Sequence, residues 1–419
     1  MLEQAESLCY ASPMNVSISL LLLSGLFAHM ASAAGTGADW PCWRGPEHNG
    51  VSREAGWSLP QDTNSLPVLW RASVGKGFSS FAVAGGRVYT LGNTDGTDTV
   101  FCFDAENGKL LWRHDYACEL QPLSYEGGPG STPAVDEGRV FTFSKDGHLF
   151  CLDALKGRVL WSKKVERWPL LEGDWKNNWR YAGSPLIVGD RLYMSLGRSG
   201  MALNKKDGSV LWQSQAGHPG YSSPVPFRAG ATQALAFFSG HAVIGVAADT
   251  GKRLWEIPWQ TEWDFNAADP VISDGKLFVS SGNNAGCALY DITANPPREL
   301  WRNKSLKTPM NSSVLWQGHL YGFNDADLTC VEWATGAKKW SESTLRRGSL
   351  CVADGKLLLL CEKGKLVVAE ATPAAYRPLA QAQLLTGRCW TTPVLSRGRL
   401  YARNAQGEVV CLDLRQKPH

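Results

Sequence analysis

One short phrase returns along almost the whole chain, and its period restricts the possible folds more than any other feature. A typical copy is CLDALKGRVLW (residues 151–161), in which an acidic residue is followed by a Gly and then by a Trp. The copies end at seven Trp residues that are 39 to 51 positions apart: Trp70, Trp112, Trp161, Trp212, Trp255, Trp301 and Trp340. This spacing is typical of a four-stranded propeller blade together with its loops.

A second phrase predicts the inner strands of each blade. Each copy is a short apolar run, a turn, and an alternating run such as Arg87-Val88-Tyr89-Thr90, which is the period-two pattern of a half-buried strand. Eight copies occur, at residues 79–92, 131–144, 183–197, 222–240, 268–282, 312–324, 348–361 and 391–404. The Gly of the Trp phrase, for example Gly108 or Gly157, falls where a tight hairpin needs a positive φ. The chain is therefore predicted to be all-β.

The outer strands predict how the ring closes. Six of them follow an inner phrase and end in Trp, and a degenerate one without Trp lies at residues 376–385. The remaining outer strand, residues 67–71, precedes the first inner phrase. Pairing of Val68–Arg71 with Val409–Leu412 would leave no open sheet edge. We expect one eight-bladed β-propeller of four-stranded antiparallel blades over residues 67–419, closed by this N-terminal strand and monomeric.

Residues 1–34 are predicted to be a signal peptide. An apolar core at residues 16–28 is followed by Ala31-Ser32-Ala33, which fits the small-x-small cleavage pattern. The core is short for a transmembrane helix. Basic residues are missing before it, and translation from Met14 is an alternative start. We expect export to the periplasm or cell envelope, and a formal net charge of +3 gives no reason to expect a nucleic-acid partner.

The eleven cysteines predict neither a disulfide framework nor a metal site. Cys102, Cys151, Cys330 and Cys411 occupy equivalent strands of different blades, and packed sheets lie about 10 Å apart, too far for a bridge. No metal-binding spacing of Cys and His occurs, so no metal is expected. Cys42 and Cys118 lie outside the repeat and could be either paired or free.

Two long loops, residues 113–130 and 162–183, predict a funnel where the chain enters the inner strands. Together with the other loops on that face they bring aromatic rings, carboxylates and guanidinium groups to the channel mouth. The candidate ligand-binding residues are Glu126, Asp174, Trp179, Tyr181, Tyr221, Asp264, Asn266, Asn311, Arg347 and Trp390. They suit an anionic aromatic ligand or a peptide. Alternatively, the rings fill the channel mouth and the charges pair with one another.

The repeats resemble those of pyrroloquinoline-quinone-type propellers, and WPCWRGPEHNGVS (residues 40–52) resembles the start of exported PQQ-like proteins related to the outer-membrane assembly factor BamB. This resemblance implies a non-enzymatic scaffold that binds protein or peptide partners, with the outer-membrane assembly machinery as the implied partner. Such proteins are often anchored to lipid through a Cys just after the apolar core, and here the first Cys after that core is Cys42. Residues 35–66 are expected to form an N-terminal extension in which Trp40 and Trp43 cover one face.

The alternative is a quinone-dependent dehydrogenase. Trp263-Asp264-Phe265-Asn266 is similar to a W-D-x-[DN] segment of those enzymes, which use pyrroloquinoline quinone with calcium. This chain lacks the adjacent Cys pair that many of them place over the cofactor, and it has no haem motif. We therefore favour the scaffold, with no catalytic residue and no cofactor.

Overall fold

The chain forms a ring of eight β-sheets. The computed structural model describes residues 38–60, 66–122, 125–166 and 179–415. Each sheet contains a meander of four antiparallel strands, and one sheet carries a fifth, short strand. This arrangement confirms the predicted eight-bladed propeller. Within the described ranges, no helix has the length and apolar character that crossing a membrane would require.

Six blades use four consecutive strands, and the seventh also binds a short strand from the N-terminal residues. Blades 1 to 4 consist of β3 Ala82–Ala84, β4 Arg87–Thr94, β5 Thr97–Asp104 and β6 Leu110–Ala117; β7 Ala134–Asp136, β8 Arg139–Phe143, β9 His148–Asp153 and β10 Val159–Lys164; β11 Leu186–Val188, β12 Arg191–Met194, β13 Met201–Asn204 and β14 Val210–Gln213; and β15 Val225–Ala229, β16 Thr232–Phe238, β17 Ala242–Ala247 and β18 Arg253–Pro258. Blades 5 to 7 consist of β19 Val271–Ser273, β20 Lys276–Ser281, β21 Gly286–Asp291 and β22 Arg298–Asn303; β23 Val314–Trp316, β24 His319–Asn324, β25 Asp327–Glu332 and β26 Lys338–Glu342; and β27 Gly348–Ala353, β28 Lys356–Cys361, β29 Lys365–Glu370 and β30 Pro378–Gln383, with β1 Val51–Ser52 beside β27.

Blade 8 joins the two ends of the ring. Its strands are β31 Val394–Ser396, β32 Arg399–Arg403, β33 Glu408–Asp413 and β2 Val68–Ser73. β2 pairs antiparallel with β33 and places Val68 opposite Leu412 and Arg71 opposite Val410. The predicted closure is therefore confirmed, and so is the degenerate outer strand of blade 7, which is β30.

The acidic residue of the repeated phrase holds the turn before the outer strand. Asp153 Oδ1 accepts hydrogen bonds from the backbone N–H groups of Leu155 and Lys156 at 2.9 and 2.8 Å. Gly157 leaves this turn with a φ of 69°, and a Cβ at Gly157 would lie 2.6 Å from the indole of Trp112. The phrase therefore encodes a turn and, at its Gly, the surface on which the Trp of the preceding blade docks.

The repeated Trp residues join neighbouring blades. Six of the seven donate an indole N–H to a carbonyl oxygen in the next blade, at 2.9 to 3.2 Å. These pairs are Trp70 with Ala105, Trp112 with Ala154, Trp161 with Lys205, Trp212 with Ala248, Trp301 with Trp333 and Trp340 with Thr372. Because each ring is wedged between two sheets, the blades share apolar contacts and cannot separate without exposing them.

Arg403, at the end of β32, fastens the ring closure from inside. Its side chain is fully buried, and its guanidinium donates to the carbonyl oxygens of Gly75, Ser79 and Leu91 at 3.0, 3.3 and 2.5 Å. These acceptors belong to blade 1 and to the segment that enters it. Among the described side chains no carboxylate forms an ion pair with Arg403, so backbone oxygens stabilise its charge in a buried setting.

The ten cysteines of the described residues are free and buried. The strand cysteines act as small apolar side chains, as predicted. Cys42 and Cys118 also stay unpaired, and burial raises the pKa of the Cys42 thiol to about 12, so this thiol is unreactive at neutral pH.

Candidate functional site

The N-terminal segment, residues 38–60, crosses one end of the central channel. Its contacts lie on or just before the first strands of six blades. Its backbone and side-chain contacts follow the order of the blades: Trp40 with Val83 of blade 1, Pro41 with Val135 of blade 2, Trp43 with Asp269 before blade 5, Arg44 with Ser313 before blade 6, β1 with β27 of blade 7, and Ser52 with Leu395 of blade 8. Trp40, Trp57 and Leu59 join one core cluster with residues of blades 7, 8 and 1.

Glu54 closes this loop on blade 8. Its buried carboxylate accepts hydrogen bonds from the backbone N–H groups of Ala38, Arg397 and Gly398 at 2.6, 2.7 and 2.9 Å. The beginning of the N-terminal segment and its later part therefore meet at one carboxylate. The result is a seal across one end of the channel, held by backbone donors from both sides.

Asp269 contacts two residues of the seal, Trp43 and Arg44. Its Oδ2 accepts from the indole N–H of Trp43 at 2.6 Å and lies 4.0 Å from Nε of Arg44. Arg44 is itself buried and donates to the carbonyl oxygens of Asn49 and Ser313, both at 2.9 Å. Burial raises the pKa of Asp269 and lowers that of Arg44, and their mutual attraction opposes both shifts.

Asp269 occupies a position that is a hydroxyl residue in the other blades. The equivalent residues are Ser80, Thr132, Ser184, Ser223, Asp269, Ser312, Ser349 and Thr392. In blades 1 to 5 the backbone N–H at this position donates to the side-chain oxygen of the next blade, at 2.8 to 3.1 Å. A carboxylate has two oxygens, so Oδ1 of Asp269 keeps the bond to Ser223 N while Oδ2 remains available for Trp43.

The other end of the channel opens into a cavity of about 510 Å³. Its floor includes Trp43 and Asp269, so the seal is also the base of the cavity. The aromatic side chains that line it are Trp43, Phe78, Tyr125, Trp179, Tyr181, Tyr221, Trp263, Phe265 and Trp390. A concave, mainly aromatic pocket of this size is typical of a ligand-binding site.

The aromatic residues form two groups on opposite sides of the ring. Phe78 lies between Tyr125 and Trp390, with ring centroids 5.4 and 5.6 Å away. On the side of blades 3 to 5, Trp179 packs edge-on against Phe265 at 4.9 Å and against Tyr221 at 5.7 Å. These contacts hold the rings in place before any ligand arrives, which lowers the entropic cost of binding.

Two of the charged residues of the cavity have a neighbour of opposite charge, and a third, Arg347, has no ion-pair partner among the described side chains. Lys145 donates to the carbonyl oxygen of Glu119, and its Nζ lies 3.4 Å from Oδ2 of Asp146. Asp269 has Arg44 as its cationic neighbour. Arg347 also lines the cavity and is exposed, and in the described part of the chain no carboxylate forms an ion pair with it. The cavity therefore presents one cationic group without a counter-ion from the described side chains.

Six of the ten predicted binding residues line this cavity: Trp179, Tyr181, Tyr221, Asn311, Arg347 and Trp390. The structure brings them together from five different loops, and their role in binding stays a prediction. Asn311 also donates from Nδ2 to the carbonyl oxygen of Gly348 at 2.9 Å, which holds its loop against the next blade.

Three predicted residues lie outside the cavity wall, and Asp174 lies outside the described residues. Glu126 pairs with Arg388 at 2.7 Å, and Asp264 Oδ2 lies 3.0 Å from Nε2 of His241. Asn266 is fully buried and donates to the carbonyl oxygens of Ser239 and Gly240, both at 2.9 Å. Its placement in the funnel is therefore corrected: its amide holds the loop together and cannot reach a ligand.

Several cavity residues did not stand out in the sequence: Lys145, His218, Asp269 and Asn283. Asp269 had a usable signal, because it is the one acid at a position where the other seven blades have Ser or Thr. Lys145 belongs to a Lys-Asp-Gly turn, a sequence that is usually solvent-exposed, so nothing local indicated its burial.

The described residues do not fit a quinone held by calcium. Calcium takes six to eight oxygen ligands, whereas no group of three or more His, Cys, Asp or Glu side chains in the described ranges could hold a metal ion. Asp269, the one carboxylate that the described residues place on the cavity wall, already has both oxygens in hydrogen bonds. Asp264, the acid of the dehydrogenase-like segment, pairs with His241 instead.

Comparison with known proteins relates the chain to outer-membrane assembly factors and, over a shorter stretch, to a dehydrogenase. The family model described as "Outer membrane protein assembly factor BamB" matches residues 62–215 and 119–342. The protein of that name from Yersinia pestis is 24% identical over 390 residues, covering 84% of this chain and 90% of its own length. A polyvinylalcohol dehydrogenase from Pseudomonas sp is 37% identical over 128 residues, but only 28% of this chain and 20% of the enzyme are covered. The crystal structure of BamB from Moraxella catarrhalis superposes with a TM-score of 0.62 at 16% identity, covering 83% of this chain and all of that one.

Proposed function

The chain belongs to the outer membrane protein assembly factor BamB family, and from this premise we propose that it is an exported scaffold of the cell envelope that holds a segment of a partner protein in its cavity. The partner we propose is a component of the outer-membrane assembly machinery. The seal of the channel supports this proposal most directly, because it turns a through-channel into a blind, aromatic-walled pocket with a fixed floor.

A blind pocket with pre-packed rings is suited to binding. Aromatic side chains held in place by one another supply large contact areas at little conformational cost. The ring scaffold is rigid, because each blade is joined to the next by a Trp, by an inner-strand hydrogen bond, or by both. The same wall offers no set of oxygen ligands and no free carboxylate base among the described residues, which is why we place a quinone-dependent reaction second.

Site-specific photo-crosslinking tests the proposal. A benzoylphenylalanine would replace Phe78 or Phe265, which lie in the two aromatic groups of the cavity. The matched control is Leu155, which is 62% exposed and lies in a turn on the sealed face. The chain would be expressed with its leader in a bacterial host, irradiated, and purified from the envelope.

We expect adducts at Phe78 and Phe265 that contain an outer-membrane assembly component, identified by mass spectrometry, and none at Leu155. The proposal is wrong if such a component co-purifies with the chain but is crosslinked only from Leu155. Addition of pyrroloquinoline quinone with calcium to the purified chain tests the second candidate, since a bound quinone would raise the melting temperature.

A further inference from the structure

We propose that the partner segment held in this cavity carries an aromatic side chain next to a carboxylate, and that Arg347 binds the carboxylate. This inference rests on the proposed function, because it concerns the occupant of the same cavity. It starts from the charges on the cavity wall and then uses the position of the rings beside them.

The charge of Arg347 has no partner among the described side chains. Lys145 and Asp269, which also line the cavity, have Asp146 and Arg44 beside them. Glu362 donates its backbone N–H to the carbonyl oxygen of Arg347, yet its carboxylate accepts from the indole of Trp390 at 2.9 Å. A guanidinium at the rim of an apolar pocket favours an anionic group on whatever enters that pocket.

The rings decide what accompanies the anion. Arg347 and Trp390 line the same end of the cavity, together with Met310 and Asn311. The ring centroids of Trp390 and Phe78 are 5.6 Å apart. The guanidinium carbon of Arg388 lies over the ring of Trp390, 4.4 Å from its centroid. An aromatic side chain that enters here meets these rings, while a carboxylate on a neighbouring residue can reach the guanidinium of Arg347 at the same end of the cavity.

A guanidinium is a better partner for a carboxylate than for a bare aromatic ring. It offers several N–H donors in one plane and can bind both carboxylate oxygens at once. The amide of Asn311 uses its Nδ2 for Gly348, so the side-chain carbonyl oxygen of Asn311 is the group that can accept a peptide N–H next to the anion. An acidic residue beside an aromatic one, in an extended peptide, matches this set of groups.

A pair of dyes isolates the contribution of the charge. Anilinonaphthalene sulfonate and phenylnaphthylamine share the same rings, but only the first carries an anion, and both fluoresce on entering an apolar site. They would be titrated into the purified propeller and into Arg347→Gln and Arg346→Gln. Arg346 is the adjacent guanidinium, is exposed, and does not belong to the cavity wall, so its variant controls for the loss of one positive charge nearby.

We expect Arg347→Gln to weaken binding of the sulfonate about tenfold and to change binding of phenylnaphthylamine less than about twofold. Arg346→Gln should change neither. The bound sulfonate is then displaced with two hexapeptides, acetyl-Gly-Ser-Asp-Phe-Ser-Gly-amide and its Asn twin, and the Asp peptide should compete about tenfold better.

The inference fails if both Arg variants weaken the sulfonate equally, if the two peptides compete equally, or if neither peptide competes. It also fails if pyrroloquinoline quinone displaces the dye and the peptides do not. In each of these cases, crosslinking of an assembly component from Phe78 and Phe265 would leave the proposed function standing, because that experiment does not depend on the charge of Arg347.

Discussion

Replacing Asp269 with Ser should weaken the seal while leaving the bond between blades 4 and 5 in place. Ser supplies one oxygen for the N–H of Ser223, as the equivalent residues of other blades do, but it offers no second acceptor to Trp43 and no charge to Arg44. Removing one partner of a buried ion pair costs about 3 kcal/mol or more, and a buried indole N–H left without an acceptor adds roughly 1 kcal/mol. The expected loss is therefore about 4 kcal/mol in the free energy of unfolding.

This loss converts into a melting temperature. With an unfolding entropy of roughly 2.1 cal/mol/K per residue, about 360 described residues give about 0.75 kcal/mol/K, so the melting temperature should fall by about 5 °C. Calorimetry or intrinsic Trp fluorescence would measure it. Asp136→Ser is the control, because that carboxylate pairs with Lys205 at the surface and its loss should cost less than about 1 kcal/mol.

A double-mutant cycle shows whether Arg44 is the cause. Arg44→Met removes the buried charge that Asp269→Ser leaves uncompensated. The double variant should therefore be more stable than the sum of the two single effects predicts, by about 1.5 kcal/mol or more. Additivity within about 0.5 kcal/mol, or an Asp269→Ser variant that melts within about 1 °C of the wild type, would refute the account of the seal.

Three further predictions concern the ring. Gly157→Ala should lower the free energy of unfolding by about 3 kcal/mol, because the new Cβ meets the indole of Trp112. Gly189 also has a positive φ but lies in open space, so Gly189→Ala should cost only about 1 kcal/mol. Chemical unfolding measures both losses. Arg403→Met should lower the free energy of unfolding by about 3 kcal/mol, since it leaves three buried carbonyl oxygens at the closure without this donor, and a smaller loss than for Gly189→Ala would contradict the fastening role. Burial raises the pKa of Asp98, so the folded chain binds the carboxyl proton more tightly than the unfolded chain does. The stability that this proton contributes is present below about pH 4 and is lost as the pH rises through the pKa of the folded state. Asp98→Asn should therefore flatten the pH dependence of stability, measured by urea unfolding.

The architecture could be predicted because the repeat encodes it at several levels at once. In a phrase such as CLDALKGRVLW the acid caps the turn, the Gly gives the positive φ, and the Trp docks on the next blade, so each local preference agrees with the ring. The closure of the ring could be predicted by counting the outer strands, since Val68–Arg71 was the one outer strand without an inner phrase before it. The structure confirmed the partner strand, β33.

The site could be predicted only in part, for a physical reason. The position of the aromatic residues on the entry loops could be predicted, because large apolar rings are buried wherever the fold offers an apolar surface, and here the cavity offers it. The role of polar residues on the same loops could not be predicted, because such residues also bind the protein itself. Asn266 donates to the backbone carbonyl oxygens of Ser239 and Gly240, and Glu126 forms an ion pair with Arg388. The path of the N-terminal segment had no period to read, so its contact with Asp269 emerged only from the fold.

The route of the N-terminal segment has a consequence for biogenesis. Ser396 donates to the carbonyl oxygen of Ala38 across 358 positions of sequence, so Ala38 meets this partner only after blade 8 has been synthesised. Contacts this distant in sequence slow folding, because a long loop must close before they can form. Until blade 8 has been made, Trp40 and Trp57 lack the blade 8 part of their core cluster, and a nascent chain would leave part of these rings exposed. A chaperone that binds exposed apolar side chains would therefore find a target in residues 38–60 until the ring has closed.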